Sequence, residues 1–273
     1  MIDFVTEPLA QGFMRRALLA GTVMGGAGAL LGVFVVQRGL ALLADGLAHA
    51  TFGGIALGLL LGASGDQAIW VALPFTVLVA LGINAVRRRS RLSGDAATGV
   101  FFASAFALGV LLLGLRSPSG GVSVEALLFG SILAISPEVL AAMLVVAVVT
   151  VGALLLAWSR LAYATFDPEL AALSGVPVAA LEHLLLVLTA MVVVVGIKTV
   201  GVILVSAFVV IPAATATLLG RSLAGIGALA AALGVLGSTV GLLASYHLDV
   251  ASGATIIVTM ATGFFVAFAA RRR

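Results

Sequence analysis

Long apolar runs, separated by short charged or glycine-rich breaks, fill almost the whole of this chain. Bounded by charge, they predict membrane-crossing helices over 17–36, 44–62, 67–86, 96–115, 138–158, 183–197, 200–219, 223–244 and 252–270. Most come close to the ~20 residues that a hydrocarbon core requires. The 183–197 run is short enough to merge with the next one. A further segment, 122–135, is too short to cross between Arg116 and Glu138 and reads as a re-entrant helix lining a protein cavity. The first dozen residues could lie along the membrane surface.

The longest polar interruption is 158–183. Within it Asp167 suits an N-cap with Pro168 at the first helical position, Gly175 suits the C-terminal cap, and Pro177 stops the helix. A short capped helix of this kind could dock a soluble partner or simply structure the loop. Ser93-Gly94-Asp95 reads as the N-cap of the 96–115 helix. Glycine pairs at four-residue spacing, such as Gly21/Gly25 and Gly28/Gly32, let membrane helices approach closely.

Composition agrees with the pattern. Of 273 residues, 62% are hydrophobic and 9% charged, against about 25% charged in an ordinary soluble domain. The expected fold is therefore an all-α polytopic membrane protein: about eight or nine transmembrane helices, a short re-entrant helix and the capped helix of the 158–183 loop, all in one domain. The sequence pI near 10.2 reflects membrane topology rather than nucleic-acid binding, because the arginines cluster between apolar runs. There is no cysteine, which excludes disulfides and thiolate metal sites. No phosphate-binding loop is present: Gly196-Ile197-Lys198-Thr199 lacks the upstream glycine. The chain cannot hydrolyse ATP alone.

Arginines orient the spans. Arg87, Arg88, Arg89 and Arg91 form the strongest cluster, and Arg271 to Arg273 end the chain; both should be cytoplasmic. Counting spans puts Arg38, Arg160 and Arg221 on the same side. It puts Arg15 and Arg16 outside, against the rule.

Few ionisable residues lie within the apolar runs, which makes Asp45 and His49 conspicuous. Four residues apart, they share one helical face. A carboxylate at the centre of a membrane helix costs on the order of 3 kcal/mol even on the lenient insertion scale. The pair is either half of a divalent-metal site or a buried hydrogen bond locking helices together. Glu125 opens the 122–135 segment, and His247 and Asp249 sit in an outer turn. All of these could meet in the outer half or middle of the bilayer around Zn²⁺ or Mn²⁺. His183, beside Glu182, reads as a surface residue.

Several motifs in order resemble one family. They are Phe13-Met14-Arg15-Arg16-Ala17-Leu18-Leu19-Ala20-Gly21, Gly32-Val33-Phe34-Val35-Val36 through Asp45-Gly46-Leu47-Ala48-His49-Ala50, and Leu128-Phe129-Gly130-Ser131-Ile132-Leu133. Asp167-Pro168-Glu169 with Gly175-Val176-Pro177, Ile211-Pro212-Ala213-Ala214-Thr215-Ala216 and Ser252-Gly253-Ala254-Thr255 follow. Nearly end to end, the chain resembles the membrane subunits of bacterial zinc/manganese/iron ABC importers. The resemblance implies a multi-pass protein of the bacterial inner or plasma membrane. Its partners would be a cytoplasmic ABC ATPase, an extracytoplasmic metal-binding protein and a second permease copy. Zn²⁺ or Mn²⁺ would be cargo, with no tightly bound cofactor. Asp45 and His49 match the family's intramembrane metal pair, and Glu125 and Asp249 its metal path. Asp167, Pro168, Glu169, Ala171 and Gly175 match its ATPase-coupling helix. His247 stands where an aromatic residue is common and leans the expectation toward zinc.

Two other classes compete. An intramembrane metalloenzyme would use Asp45 and His49 for catalysis, but no His-Glu-x-x-His pair or second general base is present. An ATP-independent carrier would need an internal repeat. Gly32-Val33-Phe34-Val35-Val36 and Gly201-Val202-Ile203-Leu204-Val205 hint at one only faintly.

Overall fold

A computed structural model describes residues 3–64, 67–90, 92–115 and 135–271. Among them are eleven helices: α1 (Asp3–Ala10), α2 (Gly12–Gln37), α3 (Ala41–Leu60), α4 (Ala68–Arg89), α5 (Gly94–Gly114), α6 (Pro137–Phe166), α7 (Pro168–Leu173), α8 (Val178–Val200), α9 (Val202–Leu219), α10 (Leu223–Leu248) and α11 (Ser252–Arg271). All except α1 and α7 are long and apolar enough to cross a membrane, nine in total among the described residues. The chain is an all-α polytopic membrane protein. Glu125 and the expected re-entrant segment 122–135 lie outside the described residues, except for the end of that segment at Ile135.

Local chemistry sets the helix ends. Side chains of Ser93, Ser136 and Ser222 accept hydrogen bonds from Ala96, Val139 and Gly225 backbone N–H groups at 3.2, 3.4 and 3.2 Å, satisfying donors that the helices leave unpaired. The α8–α9 break occurs at Gly201, whose φ of +87° is a conformation that side chains with a Cβ rarely adopt. The break expected over 158–183 narrows to 167–177. Helix α6 continues to Phe166 because Leu161 and Ala164 carry its buried face past Arg160. Helix α8 begins at Val178, so Glu182 and His183 lie inside it rather than in a loop.

Helix α2 is the central strut, packed against α10, α9, α6 and α8. Lipid tails are as apolar as leucine, so close packing rather than the hydrophobic effect holds such helices together. At Gly25 and Gly234 the backbones of α2 and α10 meet, and a Cβ on either glycine would run into the other's carbonyl. Phe34 and Phe208 are completely buried beside this axis.

Side-chain contacts fix the two ends of the bundle. At one end Arg38 Nε donates to Thr165 Oγ1 at 2.9 Å, and Arg87 pairs with Glu182 at 2.9 Å. At the other, Gln11 Nε2 donates to Tyr246 Oη at 2.7 Å. The first end collects Arg38, Arg87, Arg88, Arg89, Arg160, Arg221 and Arg271, and the second Arg15, Arg16 and Lys198. The positive-inside rule therefore makes the first end cytoplasmic.

Candidate metal site

Helix α3 carries Asp45 and His49 as its sequence spacing requires. Asp45 lies four residues and His49 eight residues from the start of the helix, roughly 6 and 12 Å along it at 1.5 Å per residue. Both therefore sit in the half of the helix nearer the arginine-rich end, rather than in the outer half.

His49 Nδ1 lies 3.0 Å from the Asp45 backbone carbonyl and 3.8 Å from Asp45 Oδ2. A carbonyl oxygen can only accept, so Nδ1 carries the proton and Nε2 holds the free lone pair. This arrangement fixes the tautomer of metal-ligating histidines generally. The side chains of Asp45 and His49 are 49% and 26% exposed, so they open onto a face of the bundle rather than forming a sealed lock.

Helix α5 forms the wall beside them. Gly46 meets Thr98 and Gly53 meets Ala105, so α3 and α5 run parallel and in close contact. Phe102 presents its ring to His49 at 5.1 Å in an edge-to-face geometry, and Phe106 continues the aromatic surface to Phe52. Sequence reasoning missed Phe102; the four-residue spacing of Phe102 and Phe106 was the available signal.

Of the other expected ligands, His247 and Asp249 do not join the pair, and Glu125 lies outside the described residues. Tyr246 contacts Gln11 at the start of α2, whereas Asp45 follows the far end of that 26-residue, roughly 39 Å helix. His247 and Asp249 are exposed at the outer end, and Asp249 ends α10 in a left-handed conformation with φ 51°. No group of three or more metal-binding side chains forms among the described residues. His247 and Asp249 lie apart from Asp45 and His49 because α3 enters from the arginine-rich end and α10 ends at the other.

The short helix α7 is built as its caps predict. Asp167 Oδ1 accepts from Leu170 N at 2.9 Å, Pro168 opens the helix, and Gly175 follows it with φ +81°. Ala171 is buried against the bundle, while Glu169, Gly175 and Leu173 are exposed, Leu173 by 85%.

A family model described as ABC 3 transport family matches residues 10–271. The chain belongs to that family. Membership makes it a transport permease and sets aside the metalloenzyme and secondary-carrier readings. It is 36% identical to the manganese transport system membrane protein MntC of Halalkalibacterium halodurans, over 97% of this chain and 89% of that one. It is 31% identical to the chelated iron transport system membrane protein YfeD of Yersinia pestis, over 98% and 88%. Among solved structures, PsaBC from Streptococcus pneumoniae in complex with Fab matches with a TM-score of 0.85 and 32% identity, covering 98% of this chain and 95% of that one.

Proposed function

We propose that this chain is the membrane subunit of an ATP-driven importer of manganese or iron, paired with a second copy of itself. A cytoplasmic ATPase and an extracytoplasmic metal-binding protein complete the assembly. The observation that carries the reading is the half-exposed Asp45 carboxylate beside His49 on α3. Such a face is too costly to leave against lipid. Covered by a second copy, it becomes two carboxylates and two imidazoles, with water free to complete the shell. Carboxylate-rich sets suit Mn²⁺, and mixed oxygen and nitrogen sets suit Fe²⁺. The names of the relatives point to the same two metals.

The zinc preference expected from His247 loses its basis, since a second imidazole at the outer end is too far from His49 to share an ion. Asp249 and His247, exposed at that end, suit the entrance where metal is handed over. Glu125 remains a proposed acidic residue on the path.

The exposed apolar tip of α7, with Leu170 50% and Leu173 85% exposed beyond the end of α6, suits a groove in the ATPase. Asp167, Pro168, Glu169, Ala171 and Gly175 shape or present that tip. ATP-driven closure of the ATPase would move α7 and, through the 174–177 turn, α8, rocking the bundle so that the metal pair faces alternate sides.

Uptake of radiolabelled manganese and iron into proteoliposomes holding permease and ATPase tests the assignment. Asp45→Asn and His49→Ala should each abolish uptake, well beyond the ~10–100-fold effect of losing a supporting residue, while the ATPase still co-purifies. Near-normal uptake in both variants would sink the site.

A further inference from the structure

A push on α7 must reach Asp45 and His49, yet neither α6 nor α7 carries them. Hydrogen bonds make the last turn of α6 and the whole of α7 one stiff body. Tyr163 Oη and Ser174 Oγ, on either side of α7, lie 3.0 Å apart. Backbone bonds from Asp167 N to Tyr163 O and from Val176 N to Ala171 O, each 3.0 Å, close the turns before and after the helix. Thr165 belongs to this body, two residues before the α7 cap.

The Thr165 hydroxyl is set to receive a donor. It gives its one hydrogen to the Leu161 carbonyl at 2.6 Å, which leaves its lone pairs to accept. Arg38 Nε donates to it at 2.9 Å from 127 residues away in the chain. The neighbouring Nη2 of Arg38 is buried without a hydrogen-bond partner among the described residues. A half-satisfied guanidinium costs stability that an apolar side chain would not. Membrane orientation would be served as well by an exposed arginine such as Arg160. Arg38 points inward for another reason.

Between Arg38 and the metal pair the chain is short and closed. Gly39, with φ +65°, and Leu40 return their N–H groups to Val36 O and Val35 O at 3.0 and 2.8 Å, the double closure of a Schellman turn. Helix α3 starts at Ala41, and Leu43 N donates to Leu40 O at 3.0 Å. A displacement of Arg38 therefore passes to the first turn of α3, and Asp45 stands in the next.

We infer that Arg38 is a positioning residue that carries the movement of α7 to Asp45 and His49, through its bond to Thr165 and the closed 38–40 turn. The inference rests on the transport function proposed above. Helix α8 is the rival route, because it packs on both α6 and α3. Its buried face is largely aliphatic and can slide, whereas a hydrogen bond from a cation fixes a distance.

Manganese uptake and ATP hydrolysis, measured in the same proteoliposomes holding the full importer, test this. Thr165→Val keeps the volume and removes the acceptor, away from the metal pair and the α7 tip. It should leave ATPase co-purification and stimulated hydrolysis intact. Manganese moved per ATP should fall by roughly tenfold, the scale of one hydrogen bond to a charged group. Thr165→Ser, which keeps the hydroxyl, should restore most of that ratio. A purely structural bond would shift the melting temperature and leave the ratio alone. An unchanged ratio in a folded Thr165→Val complex, or no rescue by Thr165→Ser, overturns the relay and gives the route to α8, with the transport function intact. Absence of ATP-driven uptake by the unaltered importer would overturn that function and the relay with it.

Discussion

Arg87 Nη2 donates to Glu182 Oε1 at 2.9 Å, joining the last turn of α4 to the start of α8. Arg88 approaches the other carboxylate oxygen at 3.9 Å, and the glutamate side chain is only 15% exposed. One carboxylate therefore answers two arginines at the cytoplasmic end. Arg38 lies within the same field: burial lowers its pKa, the Glu182 carboxylate opposes that shift, and Arg87 adds to it.

The asymmetry of this cluster makes a prediction. Glu182→Gln strands two guanidinium groups, whereas Arg87→Gln leaves Arg88 to take over the carboxylate. Glu182→Gln should thus destabilise the protein more, by about 1–3 kcal/mol, between the values for surface and buried pairs. Thermal unfolding of the detergent-purified chain measures both. An Arg87→Gln loss equal to or larger than that of Glu182→Gln would contradict the shared-carboxylate arrangement.

The tip of α7 separates docking from folding. Leu173 is 85% exposed and touches little of its own bundle, so Leu173→Glu should leave the melting temperature of the permease unchanged. The same change puts a charge into an apolar contact, and should weaken ATPase co-purification by roughly tenfold or more. Asp167→Ala acts differently. Loss of the cap costs about 1 kcal/mol of local helix stability and should lower stimulated hydrolysis while leaving some binding. Intact co-purification with Leu173→Glu would remove α7 from the interface.

Much of this architecture was legible because a membrane protein writes its fold in simple terms. Nine apolar runs became nine long helices among the described residues, and the caps at Ser93 and Asp167 appeared where side-chain chemistry required them. What escaped was long-range or continuous with a helix. Nothing in the local pattern says that α6 should carry Arg160 within its length rather than end there; the buried Leu161 and Ala164 decide it through tertiary contact. The Asp45–His49 pairing was visible as helical spacing. Its distance from His247 was legible too but was not drawn: the run 44–62 begins beside Asp45 on the Arg38 side, whereas His247 ends a run on the other.

Gly46 lies one residue from Asp45, and a Cβ there would press on the γ-methyl of Thr98 in α5. Gly46→Leu should therefore prise α3 from α5, carrying Asp45 and His49 away from the aromatic wall of Phe102. The expected outcome is a lower melting temperature together with lost metal uptake. Pairing Gly46→Leu with Thr98→Ala should recover part of both, because it removes the methyl that the new side chain meets. No recovery in the double variant would mean that the α3–α5 contact is not what Gly46 protects.

Asn84 sits one turn before Arg87 on α4, 2% exposed, and neither its amide oxygen nor its amide nitrogen has a hydrogen-bond partner among the described residues. A buried amide without partners costs about 1–3 kcal/mol, so a site shaped only for stability would hold an apolar side chain. Asn84→Leu, which has the same number of side-chain heavy atoms and no polar ones, should accordingly raise the melting temperature. The cost suggests what the amide gains in another conformation. Asn84 lies on the same face of α4 as Thr76, eight residues away, whose hydroxyl meets Thr51 of α3 at 3.1 Å, so it lies where α4 would slide as the bundle rocks. Uptake in the leucine variant should fall even as stability rises, because a stabilised resting state resists alternation. Measuring both in one preparation decides between roles. A variant more stable and equally active would make Asn84 an ordinary core imperfection, and one less stable would mean that the amide is satisfied in the membrane after all.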